Sequence, residues 1–136
     1  MKPRLYLLLV VVLAVALLAG CAQEDPVSKS ERVAQLVSDF NNDAFAEIGR
    51  NLSTSANQYA NATGDSTTVV DYWETLFGTA RQLTQSIQTN EANYVVAVFT
   101  NGATVNTYYL EMVEEDDGWV IIEIRQNNAS GTVLFN

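Results

Sequence analysis

Seven carboxylates fall in or beside stretches patterned for secondary structure: Asp39, Asp43, Glu47, Asp71, Glu74, Glu111 and Glu123. They are the chain's main acid–base resource, because it contains no histidine and a single cysteine, Cys21. Without histidine the commonest general base and the commonest metal ligand are both missing. With one cysteine there is no disulfide and no thiolate metal cage. A carboxyl group acts near neutral pH only if it is desolvated or held by a partner. Glu47 and Glu74 lie opposite the apolar stripes of their helices, and Asp43 and Asp65 stand where helix caps belong. Glu123 is different. Strand alternation puts Val120, Ile122 and Ile124 on one face, and Trp119, Ile121, Glu123 and Arg125 on the other. Glu123 is therefore either a buried acid beside Trp and Ile or, the reading favoured here, a partner of Arg125 or a cross-strand neighbour. The run Glu114-Glu115-Asp116-Asp117 lacks the alternating ligand spacing of a calcium loop and reads as a solvated hairpin turn. Tyr94, Phe99, Tyr108, Tyr109 and Trp119 read as sheet core in preference to a pocket lining. The expectation is no catalytic residue, no metal and no cofactor.

Cys21 closes a different pattern. Lys2 and Arg4 precede an uninterrupted apolar run over residues 5–18, and Ala19 and Gly20 follow it. A basic start, a short apolar stretch and small residues make the layout of an export signal. The run is shorter than the ~18–20 residues of a spanning helix, and Gln23, Glu24, Asp25 and Pro26 come directly after it. Leu18-Ala19-Gly20-Cys21 resembles the lipobox of prokaryotic lipoproteins. That resemblance implies a diacylglycerol thioether on Cys21, cleavage before it and acylation of the new amino terminus. A thiol is the nucleophile such a modification needs. Residues 1–20 then form the signal peptide, 21–27 a tether and 28–136 one domain. By the sorting rule of lipoproteins in Gram-negative cells, Ala22 in place of aspartate implies an outer-membrane anchor facing the periplasm.

Loss of residues 1–20 removes Lys2 and Arg4 and moves the formal charge from −9 to −11. Lys29, Arg32, Arg50, Arg81 and Arg125 are the remaining cations. So acidic a surface excludes nucleic-acid binding, which draws its affinity from basic groups on phosphates. It also excludes electrostatic adhesion to anionic headgroups, leaving the lipid as the membrane contact. The three Asn-x-Ser/Thr sequons at Asn51, Asn61 and Asn128 receive no role.

The elements that must position these groups follow from periodicity. Ser28-Lys29-Ser30-Glu31 matches the capping box, and Val33, Leu36, Val37 and Phe40 then recur at helical spacing. Asn41-Asn42-Asp43 marks a turn, with Asp43 as the cap of a second helix carrying Ala44, Phe45, Ile48 and Leu52. Asp65 or Ser66 caps a third helix through Val69, Val70, Trp73, Leu76 and Phe77, ended by Gly78. Strands are predicted over 83–89, whose glutamines would also suit a helix continuing from Arg81, and over 94–100, 104–114, 119–125 and 132–135, with Asn101-Gly102 as a hairpin signal. Helices first and an antiparallel meander second is α+β architecture.

Phe40-Asn41-Asn42-Asp43-Ala44-Phe45 ahead of Leu52-Ser53 resembles the opening of the nuclear transport factor 2-like superfamily. So do Trp73 with Gly78 before the first strand, and Asp117-Gly118-Trp119-Val120-Ile121-Ile122 in the last hairpin. The likeness spans roughly residues 28–126 and points to small lipid-anchored members. It implies N-terminal helices packed on a curved antiparallel sheet, a cone with a pocket at its open end. Enzymes of the superfamily place Asp, His or an Asp–His pair in that pocket, and the lack of histidine rules out the Asp–His versions. The expected function is a non-enzymatic, lipid-anchored envelope protein whose cone binds a small apolar ligand or a protein partner. The alternatives are a proton-transfer isomerase using one pocket carboxylate, and an accessory subunit of an envelope complex.

Overall fold

A computed structural model describes residues 25–136; Cys21 and the segment 1–20 lie outside the described residues. Ser28 starts helix α1 (Lys29–Asn41). Its hydroxyl accepts from the Glu31 amide, while the Glu31 carboxylate accepts from the Ser28 amide at 2.9 Å, the reciprocal pair foreseen in S-x-x-E. Along the predicted stripe Val33, Leu36 and Phe40 are wholly buried.

The second helical segment differs from expectation. Asp43 has φ +55° and does not cap; its carboxylate turns to Arg81 at 2.6 Å. The chain continues as a 3-10 helix (Phe45–Asn51), whose Ala46 amide donates to Asp65 Oδ1 at 3.1 Å. A cap reached across the fold thus replaces the local one. A single turn, α2 (Tyr59–Ala62), precedes α3 (Thr67–Phe77). Ser66 caps α3 by accepting from the Val69 amide, and Gly78 at φ +85° ends it.

Five strands follow: β1 (Thr84–Asn90), β2 (Tyr94–Asn101), β3 (Thr104–Glu115), β4 (Gly118–Gln126) and β5 (Val133–Phe135). They form one antiparallel sheet in chain order. The expected α+β order of helices and then an antiparallel meander is therefore present. Two local differences matter. Asn101 pairs with Thr104, so the β2–β3 loop is Gly102-Ala103, one residue later than the Asn-Gly signal suggests. The buried Asn101 amide instead donates to the carbonyls of Phe77 and Ala80, both at 2.7 Å, where the end of α3 leaves acceptors without helical partners. The β3–β4 register also shifts: Met112 opposes Ile121 and Glu111 opposes Glu123, leaving Ile122 as a bulge. Ile121 and Ile124 consequently both join the core, and Glu123 and Arg125 part from the face of Trp119 and Ile121.

Phe77 sits at the core's centre, stacked on Phe99 at 5.2 Å and on Trp73 at 5.8 Å, with Phe40 edge-on at 5.5 Å. Trp73 is fully buried and donates Nε1–H to Ala62 O at 2.7 Å. These rings fill the space between helices and sheet.

Both sheet edges are partly covered. At the β1 edge the Asn41 side chain pairs with both backbone groups of Leu83, donating at 2.8 Å and accepting at 2.7 Å. Lys29 reaches Glu91 O at the other end of that strand. Along β4, Val27 and Leu52 form single parallel bridges to Gly118 and Ile121 before β5 takes over. Gln58 donates its amide to Asn136 O at 2.7 Å, and Tyr72 donates its hydroxyl to Leu134 O at 2.5 Å. No helix among the described residues is long and apolar enough to cross a membrane.

Replacing Asn101 with Ala strands the carbonyls of Phe77, at the end of α3, and of Ala80, in the loop after it, and we expect a loss of about 1–3 kcal/mol in urea unfolding with unchanged m. Equal midpoints would show that water replaces the amide fully. A second expectation concerns alkali. Burial pushes the Tyr72 hydroxyl up to about 12. Its folded state therefore holds the proton that an unfolded tyrosine loses near ~10, so this part of the stability is intact below ~10 and falls as pH rises towards 12. Tyr72→Phe should flatten that alkaline decline relative to wild type; parallel pH curves would contradict it.

Candidate functional site

A cleft of about 1040 Å³ opens where four segments converge. Helix α1 contributes Arg32 and Gln35; the 3-10 helix and its exit contribute Gly49, Arg50 and Leu52. The β3–β4 hairpin adds Glu115, Asp116, Asp117 and Val120, and the segment before α1 adds Asp25, Pro26 and Val27. Thr54 and Tyr59 complete the lining, which mixes apolar, acidic and basic side chains.

Arg32 fixes this geometry. It is 3% exposed, and its Nε–H donates to Trp119 O at 2.6 Å. Its Nη1 donates to Gln35 Oε1 at 3.0 Å, and Nη2 lies 3.4 Å from Asp117 O. Among the described residues it makes no ion pair with a carboxylate. Burial lowers its pKa from the ordinary arginine value, and the nearby charge of Arg50 adds to this, opposed by Asp117, Asp39 and Glu115. The guanidinium thus binds the carbonyls of the β3–β4 turn to α1.

The same turn takes hold of the segment before α1. Val27 donates its amide to Asp117 O at 3.3 Å and accepts from the Trp119 amide at 2.9 Å. Gly118 makes the approach possible: it has φ +105°, and a Cβ there would lie 2.4 Å from Val27 N. Ser53, fully buried, donates its hydroxyl to Glu115 Oε1 at 2.8 Å and so secures the turn from the opposite side.

Beside the cleft, Asp39 is 5% exposed and accepts from Arg50 Nη2 at 2.7 Å and from Asn51 Nδ2 at 2.9 Å. Arg50 also donates to Glu47 at 2.9 Å. Asn51 is wholly buried, and its Oδ1 has no partner.

None of the seven carboxylates singled out in the sequence lines the cleft. Asp43 and Glu74 share Arg81, at 2.6 and 2.7 Å. Glu123 pairs with Arg125 and stands opposite Glu111 on the sheet face away from the helices. It is the ion-pair partner favoured above, and the bulge takes it off the side of Trp119. Asp71 is exposed on α3. Of the aromatics, Phe99 and Tyr108 are core, Tyr94 and Tyr109 stack at 4.8 Å on the outer face, and Trp119 lies under Lys29 Nζ at 4.7 Å. The acidic run is an exposed turn, and no group of three or more possible metal ligands occurs among the described residues.

Sequence reasoning missed Arg32 and Asn51, and it singled out Asp39 without foreseeing its burial or its bonds to Arg50 and Asn51. A signal was present for two of them: Arg32 adjoins Val33 in the apolar stripe, one turn before Leu36, and Asp39 falls between Leu36 and Phe40. Compared with known proteins, the chain matches no family model, no curated protein and no solved structure.

Asp39→Ala removes the one partner that the buried Asn51 amide has and a partner of half-exposed Arg50. A loss of about 1–3 kcal/mol is expected by denaturant unfolding, and Asp39→Asn should lose less. An Ala variant as stable as wild type would show that Asp39 does not organise the cleft floor.

Proposed function

We propose that the chain is a lipid-anchored envelope protein, acylated at Cys21, whose domain binds a ligand or partner without transforming it. The cone of the nuclear transport factor 2-like superfamily belongs to the same reading. The order of helices and antiparallel strands supports it, as does the packing of α1 and α3 on one sheet face. A lipoprotein sorted by Ala22 would sit at the outer membrane of a Gram-negative cell, facing the periplasm.

The observation that carries a binding function is the cleft itself, together with how the carboxylates are used. Acid–base catalysis needs a carboxyl group held in a pocket with its proton under control. Here Asp39, Asp43, Glu47, Glu74 and Glu123 lie outside the cleft lining and are each engaged by an arginine, and the acids that do line it belong to the exposed β3–β4 hairpin end and to the segment before α1. Leu52, Val120 and Pro26 beside those charges suit a ligand with apolar and polar parts, a refinement of the apolar ligand expected from the sequence.

Two measurements test this. Metabolic labelling with a fatty acid should mark the wild type and leave Cys21→Ser unlabelled and released from membranes; a labelled serine variant would end the anchor reading. Native mass spectrometry of the detergent-purified protein should show a bound small molecule or protein. Thr54→Trp, which fills the mouth from an exposed position, should reduce it at least tenfold while changing stability by no more than ~0.5 kcal/mol. Undiminished binding in that variant would move the site elsewhere.

A further inference from the structure

We propose that the end of the domain carrying the cleft and the β3–β4 turn is its membrane-facing surface, and that the clasp of Val27 on that turn sets this orientation. The inference rests on lipid attachment at Cys21. Three observations carry it. The first is length: Asp25 already lines the cleft, and the four residues from Cys21 to Asp25 span at most ~14 Å. The cleft's rim is therefore within that reach of the acyl chains.

The second is the clasp. Two backbone hydrogen bonds fasten Val27 to Asp117 and Trp119, and the capping box at Ser28 starts α1 on the next residue. The tether consequently enters the domain at one fixed place and in one direction. The third is polarity along the sheet. β3 runs twelve residues from the Gly102-Ala103 loop to the acidic turn, roughly 35–40 Å, so the two turns stand at opposite ends of the domain. A tether clasped at one of them leaves the other remote from the bilayer.

Charge selects the kind of lipid surface. Asp25, Glu114, Glu115, Asp116 and Asp117 gather at the clasped end, so an anionic surface repels it and a net-neutral, zwitterionic surface accepts it.

The test uses the full lipid-modified chain in phosphatidylcholine vesicles containing a headgroup-linked acceptor dye. With Cys21 acylated, an introduced cysteine is the only free thiol. Donor dyes go on Thr54→Cys at the cleft rim or Ala103→Cys in the far loop, both exposed positions. Energy transfer to the bilayer should be at least twofold greater from the rim. Gly118→Ala, whose methyl group meets the Val27 backbone, should abolish that contrast. Val27→Pro, which removes the amide bonded to Asp117 O and keeps the carbonyl that accepts from Trp119, should weaken it and covers the case in which the glycine variant fails to fold. Phosphatidylglycerol in the vesicles should shrink the contrast at ~10 mM salt and release it at ~0.15 M, where the screening length falls from ~30 to ~8 Å. Equal transfer from both positions in bound wild type, contrast surviving in both clasp variants, or contrast enhanced by the anionic lipid would each overturn the orientation alone. Wild type left in solution, or Cys21→Ser still on the vesicles, would overturn the anchor beneath it.

Discussion

The rest of the molecule depends on one buried cation. Removing a guanidinium from water costs several kcal/mol even after relaxation, and Arg32 meets that cost without a carboxylate in contact. Backbone carbonyls of the β3–β4 turn, a glutamine one helical turn along and the diffuse field of Asp117, Asp39 and Glu115 offset it. Carbonyl oxygens are directional acceptors, so the arrangement fixes both the distance and the rotation of the turn relative to α1. Gly118 is then presented to Val27, and the segment before α1, the hairpin and the helix share one junction. The cleft is the space left where they meet.

The other cations among the described residues are similarly committed. Arg50 joins Asp39 to Glu47, Arg81 joins Asp43 to Glu74 while covering Phe40 at 4.8 Å, Arg125 meets Glu123, and Lys29 lies over Trp119. With Arg32, all five cations among the described residues therefore work within the fold, and the acids without a cationic partner give the surface its negative sign. Exposed pairs of this kind are individually weak; the one on Asp39 differs because its carboxylate is buried and shared with an asparagine. The acidity read from composition is thus a property of what is left over after the interior has drawn on the basic residues.

How much of this was legible depended on whether the cause was local. The capping box at Ser28, the stop at Gly78 and the strand-rich second half were legible because each is written within a few residues. Asp43 failed as a cap because a contact 38 residues away, Arg81, competes for its carboxylate. The faces of β4 were misassigned after Ile121 because a bulge changes a strand's parity without any mark in its composition. Asn101 looked like turn chemistry, yet its amide serves the end of a helix. For the cleft, the acidic turn was visible and its partners were not: Arg32, Gly49 and Thr54 converge only through the tertiary fold. Chemistry was sought at carboxylates within the elements, whereas the opening lies at a junction between them.

The amide of Asn41 on Leu83 has a consequence for the molecule's behaviour at high protein concentration. An uncharged outer strand such as TQSIQTN, without proline or lysine, offers its free backbone groups to any passing chain. Here one end is closed by a side chain that imitates a neighbouring strand, the far end is approached by Lys29, and an irregularity between Ile87 and Thr89 interrupts the stretch between them. Both closures belong to α1. Solubility is therefore cooperative with that helix: as long as it stays folded the border of the sheet remains short, and its melting would uncover the whole border at once.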